Sequence, residues 1–169
     1  MTFLDLRSVR IRAGEQYRDR RAVEIEPFEI GGQRYAIEPA APEAELTVTR
    51  TAGGMLFELA LAARLSGPCF RCLNETELDI LVRGREYQAA DPGGDEELMT
   101  PYLADDKLDL SAWARDTIAL DLPDKILCRE DCAGLCPMCG KNLNDEPHEH
   151  AVETADPRWA ELEKLKDRL

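Results

Sequence analysis

Apolar and polar residues alternate with a period of two through much of the N-terminal half, the pattern of strands with one buried face. Residues 3–12 place Leu4, Leu6, Val9 and Ile11 among charged neighbours, with a slip near Arg7, which predicts a short strand or an irregular docking segment. Val23, Ile25, Phe28 and Ile30 alternate around Pro27; Gly31-Gly32 is a hairpin turn signal, and residues 34–37 return. After Pro39-Ala-Ala-Pro42, residues 45–51 put Leu46 and Val48 on one face, and Gly53-Gly54 turns the chain again. Residues 55–65 carry Phe57, Leu59 and Leu61 in strict alternation. Their alanines would suit a helix, but the turn signals at both ends favour a strand. Residues 75–87 answer with Leu78, Ile80 and Val82, which puts Cys69-Phe-Arg-Cys72 at the tip of a hairpin.

The period then changes. Residues 89–107 are acidic, punctuated by Gly and Pro, and read as a mobile loop; Leu108-Asp-Leu110 fits a short strand. Ser111 is expected to cap a helix over residues 111–120 that buries Trp113, Ala114, Ile118 and Leu120. Near the C-terminus Asp156 and Pro157 open a further helix over 157–168, with Trp159, Leu162, Leu165 and Leu169 at helical spacing, to dock on the domain or meet a partner.

Composition narrows the class. A chain of 169 residues buries one respectable core, and 44% hydrophobic with 33% charged residues is a globular balance. The N-terminus has no apolar leader and no run approaches the roughly 20 apolar residues that span a bilayer. The expectation is a cytoplasmic protein with no membrane partner, where thiols stay reduced. Six cysteines in that compartment argue for metal rather than disulfides.

The formal net charge of −13 is unevenly spread. Residues 89–131 hold twelve acidic against four basic side chains, whereas residues 1–21 hold six arginines against three acids. An acidic body repels phosphate and attracts basic partners. The arm carrying Arg7, Arg10, Arg12, Arg18, Arg20 and Arg21 is the one place that RNA could be received, although solvated arginines on a strand and loop account for it more simply.

Four of the six cysteines fall within residues 128–139, Cys128-Arg-Glu-Asp-Cys132-Ala-Gly-Leu-Cys136-Pro-Met-Cys139, followed by Gly140. Two residues between cysteines let both thiolates of a tight turn reach one tetrahedral ion at about 2.3 Å. Pro137 presets a dihedral of such a turn and Gly140 tolerates positive φ. With His148 and His150 there are eight candidate ligands, Cys69, Cys72, Cys128, Cys132, Cys136, Cys139, His148 and His150, enough for two tetrahedral ions. In one partition Cys69 and Cys72 join Cys128 and Cys132, and Cys136 and Cys139 join the histidines. In the other, Cys69 and Cys72 join Cys136 and Cys139 as a zinc ribbon, leaving Cys128, Cys132 and the histidines over. The first uses every ligand and is preferred, so one or two structural Zn²⁺ ions are expected.

Together these readings give an α+β fold: an antiparallel β-sheet or partly open barrel, one core helix, a zinc-knuckle segment and a C-terminal helix. Residues 1–127 form the β-rich domain, including the acidic loop, and residues 128–169 the knuckle segment and last helix, packed on the same core. No phosphate loop and no Gly-x-Ser-x-Gly elbow occurs, and neither histidine has a nucleophile to make a triad. A non-enzymatic protein without a small-molecule substrate is expected.

Cys69-Phe-Arg-Cys72-Leu73, the acidic loop, the helix running into Leu122-Pro123, the block 128–140 and Asp156-Pro-Arg-Trp-Ala160 resemble the bacterial YceD family, the large ribosomal RNA subunit accumulation proteins. The resemblance spans essentially the whole chain and is diffuse over the first fifty residues. It implies a role in accumulation of large-subunit (23S) ribosomal RNA, with a ribosomal protein or pre-ribosomal RNA as partner, and no established enzymatic activity. Some members lack part or all of the cysteine set, which implies that metal supports the fold rather than executing chemistry. Where His148 and His150 stand, some carry Cys-x-Cys, and both types ligate zinc.

Two other readings compete. One is a zinc-stapled adaptor for a non-ribosomal partner, using the last helix. The other is rubredoxin-like electron transfer, suggested by paired Cys-x-x-Cys knuckles but opposed by Leu73, which stands where such a first knuckle usually has Gly, and by the long separation of the two knuckles.

Overall fold

The computed structural model describes residues 1–150; the helix expected over 157–168 lies outside the described residues. Strand β1 (Phe3–Asp5) leads through a 3-10 turn (Leu6–Ser8) to β2 (Gln16–Ala22). Strands β3 (Phe28–Ile30) and β4 (Gln33–Glu38) form the hairpin expected at Gly31-Gly32, whose φ values of +59° and +77° are those that a two-residue turn demands. Next come β5 (Glu43–Arg50), β6 (Gly54–Pro68) and β7 (Glu75–Ala89), then two short strands, β8 (Leu103–Ala104) and β9 (Lys107–Asp109), and helix α1 (Leu110–Asp121).

The large sheet is built on β6. One side pairs with β7 along all fifteen residues, from Gly54↔Ala89 to Pro68↔Glu75. The other side is shared: its first half pairs with β5, which pairs with β2, and its second half pairs with β4. Odd positions of β6 point inward, so Phe57, Leu59, Leu61 and Leu65 are buried, joined by Leu46 and Val48 of β5 and by Ile80 and Val82 of β7. Over this face lie α1, through Trp113, Ala114 and Ile118, and a small sheet in the order β1-β9-β8, through Leu4 and Leu108. The fold is α+β with open antiparallel sheets, as the alternation implies.

Two glycines allow close approach. A Cβ on Gly84 would stand 2.8 Å from both Thr117 Oγ1 and Trp113 Nε1, so α1 can lie flat on β7 only without one. A Cβ on Gly67 would stand 2.4 Å from the ring of Tyr35, whose hydroxyl donates to the carbonyl of Pro68 at 2.8 Å.

Several expectations require correction. Strand β2 has no apolar alternation, because its residues facing inward are Tyr17, Asp19 and Arg21, and Arg21 is held there by Asp19 and by the carbonyl of Phe3. The acidic segment is not featureless: Glu96–Leu98 forms a 3-10 turn, and β8 pairs with β9 across Asp105-Asp106, both at positive φ. The helix is capped by Asp109, whose carboxylate accepts from Ala112 N at 2.9 Å; Ser111 lies inside the helix and accepts from Thr2 N. Leu120, expected inside, is 89% exposed. No helix among the described residues is long and apolar enough to cross a membrane.

Two candidate metal centres

Cys69 continues the inward alternation of β6 one step past Pro68 and is fully buried. The chain then doubles back: Cys69 N donates to Asn74 O at 2.7 Å, and Leu73 N donates to Cys69 O at 3.0 Å. This return puts Leu73 at φ +61°, a conformation that glycine occupies more readily. Residues 122–127 leave α1 and run beside the tip, where Phe70 N donates to Ile126 O at 2.8 Å. Arg71 closes the seam. Its carbonyl accepts from Leu135 N at 3.1 Å and its guanidinium donates to Cys132 O at 2.8 Å.

The result is a group of four thiols: Cys69, Cys72, Cys128 and Cys132. The sulfurs of Cys69 and Cys132 are 3.8 Å apart and those of Cys72 and Cys128 are 3.7 Å apart. A tetrahedron with metal–sulfur bonds of about 2.3 Å has edges of about 3.8 Å, so the sulfurs stand at the spacing of a tetrahedral Cys₄ ion. Disulfide bonds would require about 2.05 Å, and all six cysteines are free. Four such thiols cannot all ionise without a cation between them. Burial opposes the thiolate of Cys69, but amides of Cys72, Cys128 and Arg71 outweigh it and lower that thiol to about 6. Burial and the neighbouring sulfurs push Cys128 up to about 12.

The second group is local: Cys136, Cys139, His148 and His150. Cys136 N donates to Lys141 O, and Gly140 N donates to Cys136 O, both at 2.8 Å, with Gly140 at φ +72°. Burial opposes the thiolate of Cys136, but the amides of Cys139 and Met138 bring it down to about 6. His148 Nδ1 lies 2.7 Å from the carbonyl of Glu146, which can only accept, so Nδ1 carries the proton. That leaves Nε2 directed at Cys139 Sγ, 3.1 Å away. The rings of His148 and His150 meet edge to face at 4.9 Å. In each group the four ligand atoms lie within 4.8 Å of one another, and the two groups use the eight residues without overlap. Both donor sets can hold a metal ion.

Asn144 was not legible as a site residue and supports the first group. Its amide nitrogen donates to Cys132 Sγ at 3.4 Å and to Asn142 Oδ1 at 2.7 Å, while its oxygen accepts from Ala133 N and from Arg129. The only sequence hint is Asn-x-Asn at 142–144, side chains that bond their own turns. Groups that donate to a ligating sulfur orient it and raise its affinity. Asn144→Ala is therefore expected to weaken metal held by the first group by roughly 10–100-fold, measured by competition with a chromophoric chelator; an unchanged competition curve would make the bond incidental.

The arginine arm is dispersed. Arg7 pairs with Asp5, Arg20 with Glu45 and Arg21 with Asp19. Arg18 reaches only Gln16, and Arg10 and Arg12 are exposed and in no ion pair among the described residues.

The family model of the large ribosomal RNA subunit accumulation protein YceD matches residues 57–166. The chain belongs to the YceD family. That match takes in all eight candidate ligands and begins inside β6. Among similar proteins, an uncharacterised protein of Mycobacterium tuberculosis is 36% identical over 144 residues, covering 82% of this chain and 69% of that one. The uncharacterised protein YlbN of Bacillus subtilis is 26% identical over 113 residues, 64% of each chain. A maize protein named large ribosomal RNA subunit accumulation protein YCED homolog 1, chloroplastic, is 42% identical over 50 residues, 30% of this chain and 17% of that one. No solved structure matches.

Proposed function

We propose that this YceD protein is a non-enzymatic, zinc-stabilised cytoplasmic factor that supports accumulation of large-subunit ribosomal RNA by holding a basic ribosomal protein or pre-ribosomal RNA during assembly. The family description supports the ribosomal setting. The observation that carries the structural role of metal is the sulfur tetrahedron: four protein thiolates fill the coordination of Zn²⁺ and leave no position for water or substrate. Cys69, Cys72, Cys128 and Cys132 would hold one ion, and Cys136, Cys139, His148 and His150 a second. Zinc at these positions contributes folding free energy to a segment with little regular structure; between residues 128 and 150 the only strand-like pairing is the bridge Leu135↔Asn142. RNA contact falls to Arg10, Arg12 and Arg18, the arginines of the arm in no ion pair among the described residues.

Two measurements test this reading. Metal analysis of aerobically purified protein should return two zinc ions per chain; iron in their place, or no metal, would overturn the assignment. In cells whose own copy is replaced by Cys69→Ser/Cys132→Ser, the ratio of 23S to 16S RNA should fall and large-subunit precursors should accumulate on sucrose gradients. An unchanged ratio in cells lacking the protein altogether would remove the ribosomal role.

A further inference from the structure

β7 is an edge. It pairs with β6 over its full length and with no other strand among the described residues, whereas β6 is paired on both sides. Near its end Gln88 accepts from Thr100 N at 3.2 Å, so the open stretch lies before that residue. Alongside it runs a groove of about 570 Å³ between β7 and α1. Tyr102, stacked on Trp113 with ring centres 6.3 Å apart, forms its floor. Its mouth carries Leu120, 89% exposed and covered by nothing among the described residues.

The floor and helix side of the groove are negative. Tyr102 donates to Asp116 at 3.1 Å; burial, Asp116 and Glu86 together push its phenol up to about 12. Asp121 stands on the α1 rim. Arg83 and Arg85 line its sheet side, but alternate with Leu81 onto the outer face of the sheet, where Glu58 holds Arg85 at 2.9 Å.

We propose that this groove receives an extended, basic segment of a partner protein, which adds to the edge of β7 as a further strand. Main-chain bonds to β7 would supply sequence-independent affinity. Alternate side chains would enter the groove, apolar ones against Leu120, and cationic ones over the aromatic floor beside Glu86, Asp116 and Asp121. The idea rests on the protein half of the reading above, a basic ribosomal protein as partner, and names where such a chain would lie.

The probe is a twelve-residue peptide of alternating Lys and Val, titrated into the full chain carrying Trp159→Phe, so that Trp113 alone reports. Amide exchange followed by NMR gives the second readout. Binding should perturb Trp113 fluorescence and protect alternate amides of residues 79–86 that exchange freely beforehand. Leu120→Lys/Asp121→Lys should weaken binding about ten-fold or more. Both positions are exposed, and lysine suits a helix C-terminus, so the fold is not at stake. Glu29→Lys/Glu43→Gln, with the same change in charge elsewhere, should weaken it far less.

Equal loss in the two double variants would reduce the effect to net charge and overturn the proposal. So would an edge already protected in the free chain, which would mean occupation by the chain itself or, with concentration dependence, by a second copy. A single-stranded RNA that protects the same amides would also overturn it. Failure here leaves the 23S to 16S ratio in cells untouched as the test of the ribosomal role, so the two readings fall separately.

Discussion

Cys69→Ser should cost about 4 kcal/mol of stability, which for a chain of this length lowers the unfolding midpoint by roughly 8–16 °C. Cys69 is fully buried at the end of β6, and its sulfur faces Cys132 across the seam between the hairpin tip and the segment after α1. A serine oxygen there loses the metal and leaves three apposed thiols with no cation to share. Cys139→Ser should have a much smaller effect on the midpoint, because Cys139 is exposed and its group closes within residues 136–150 without tying distant elements together. Differential scanning calorimetry of both variants, with and without chelator, decides the matter. Equal midpoints for Cys69→Ser and the unchanged chain would remove the ion from the account of stability.

The same chemistry fixes the response to acid. A thiol ordinarily titrates at 9.0 and metal binds the thiolate, so protons compete with the ion for the sulfurs; the stability supplied by the ion is present at neutral pH and above, and is lost as pH falls. His148 titrates above its ordinary 6.5, chiefly because Nδ1–H is bonded to the Glu146 carbonyl and secondarily through Cys136. Protons therefore compete for its Nε2 early in the descent. Acidification from neutral pH should release metal in two steps, the Cys136/Cys139/His148/His150 group first. A single step would contradict the order.

Gly67→Ala is the second large effect. The added methyl would fall 2.4 Å from Tyr35 Cδ1 and 3.0 Å from the carbonyl of Arg34. Tyr35 cannot swing aside, because it is buried and its hydroxyl is bonded to Pro68 O. Overpacking against an immobile neighbour costs up to about 3 kcal/mol, or roughly 6–12 °C. Gly67 also stands two residues before Cys69, so the displaced strand should carry the sulfur with it and weaken metal retention. The double variant Tyr35→Ala/Gly67→Ala should cost less than the two single changes added together. Simple additivity would show that the ring and the glycine do not meet.

The hairpin with a knuckle at its tip was legible because three independent signals coincide there: alternation at 57, 59 and 61, alternation at 78, 80 and 82, and Gly67-Pro68 before the first cysteine. The core face of α1 was legible at Trp113, Ala114 and Ile118. Strand β2 was hidden because apolar period is the signal for a strand, and its inward positions are polar and satisfied by ion pairs. The β8–β9 hairpin was hidden because two aspartates replace the glycines that usually announce such a turn. Leu120 misled because helical spacing sets a direction but not what lies there, and beyond it the sheet ends at the edge strand β7. The cysteine pairing could be reduced from sequence to two partitions and no further, since spacing along the chain does not say which knuckle folds back on which. Arg71 and Asn144 act one bond away from the sulfurs, and no motif records that.

The first group joins residues 63 and 56 positions apart, Cys69 to Cys132 and Cys72 to Cys128. An ion held there cross-links the chain as a disulfide would. Closing a loop of that length removes about 4 kcal/mol worth of disorder from the unfolded ensemble, by the relation that holds for covalent bridges. The loop so closed contains β7, the acidic segment, β8 and β9 of the small sheet, and α1; with β1, the last three cover the inner face of the large sheet. A chain that keeps this ion while denatured would begin refolding with its lid already tethered to the hairpin, and would refold faster than the same chain stripped of metal.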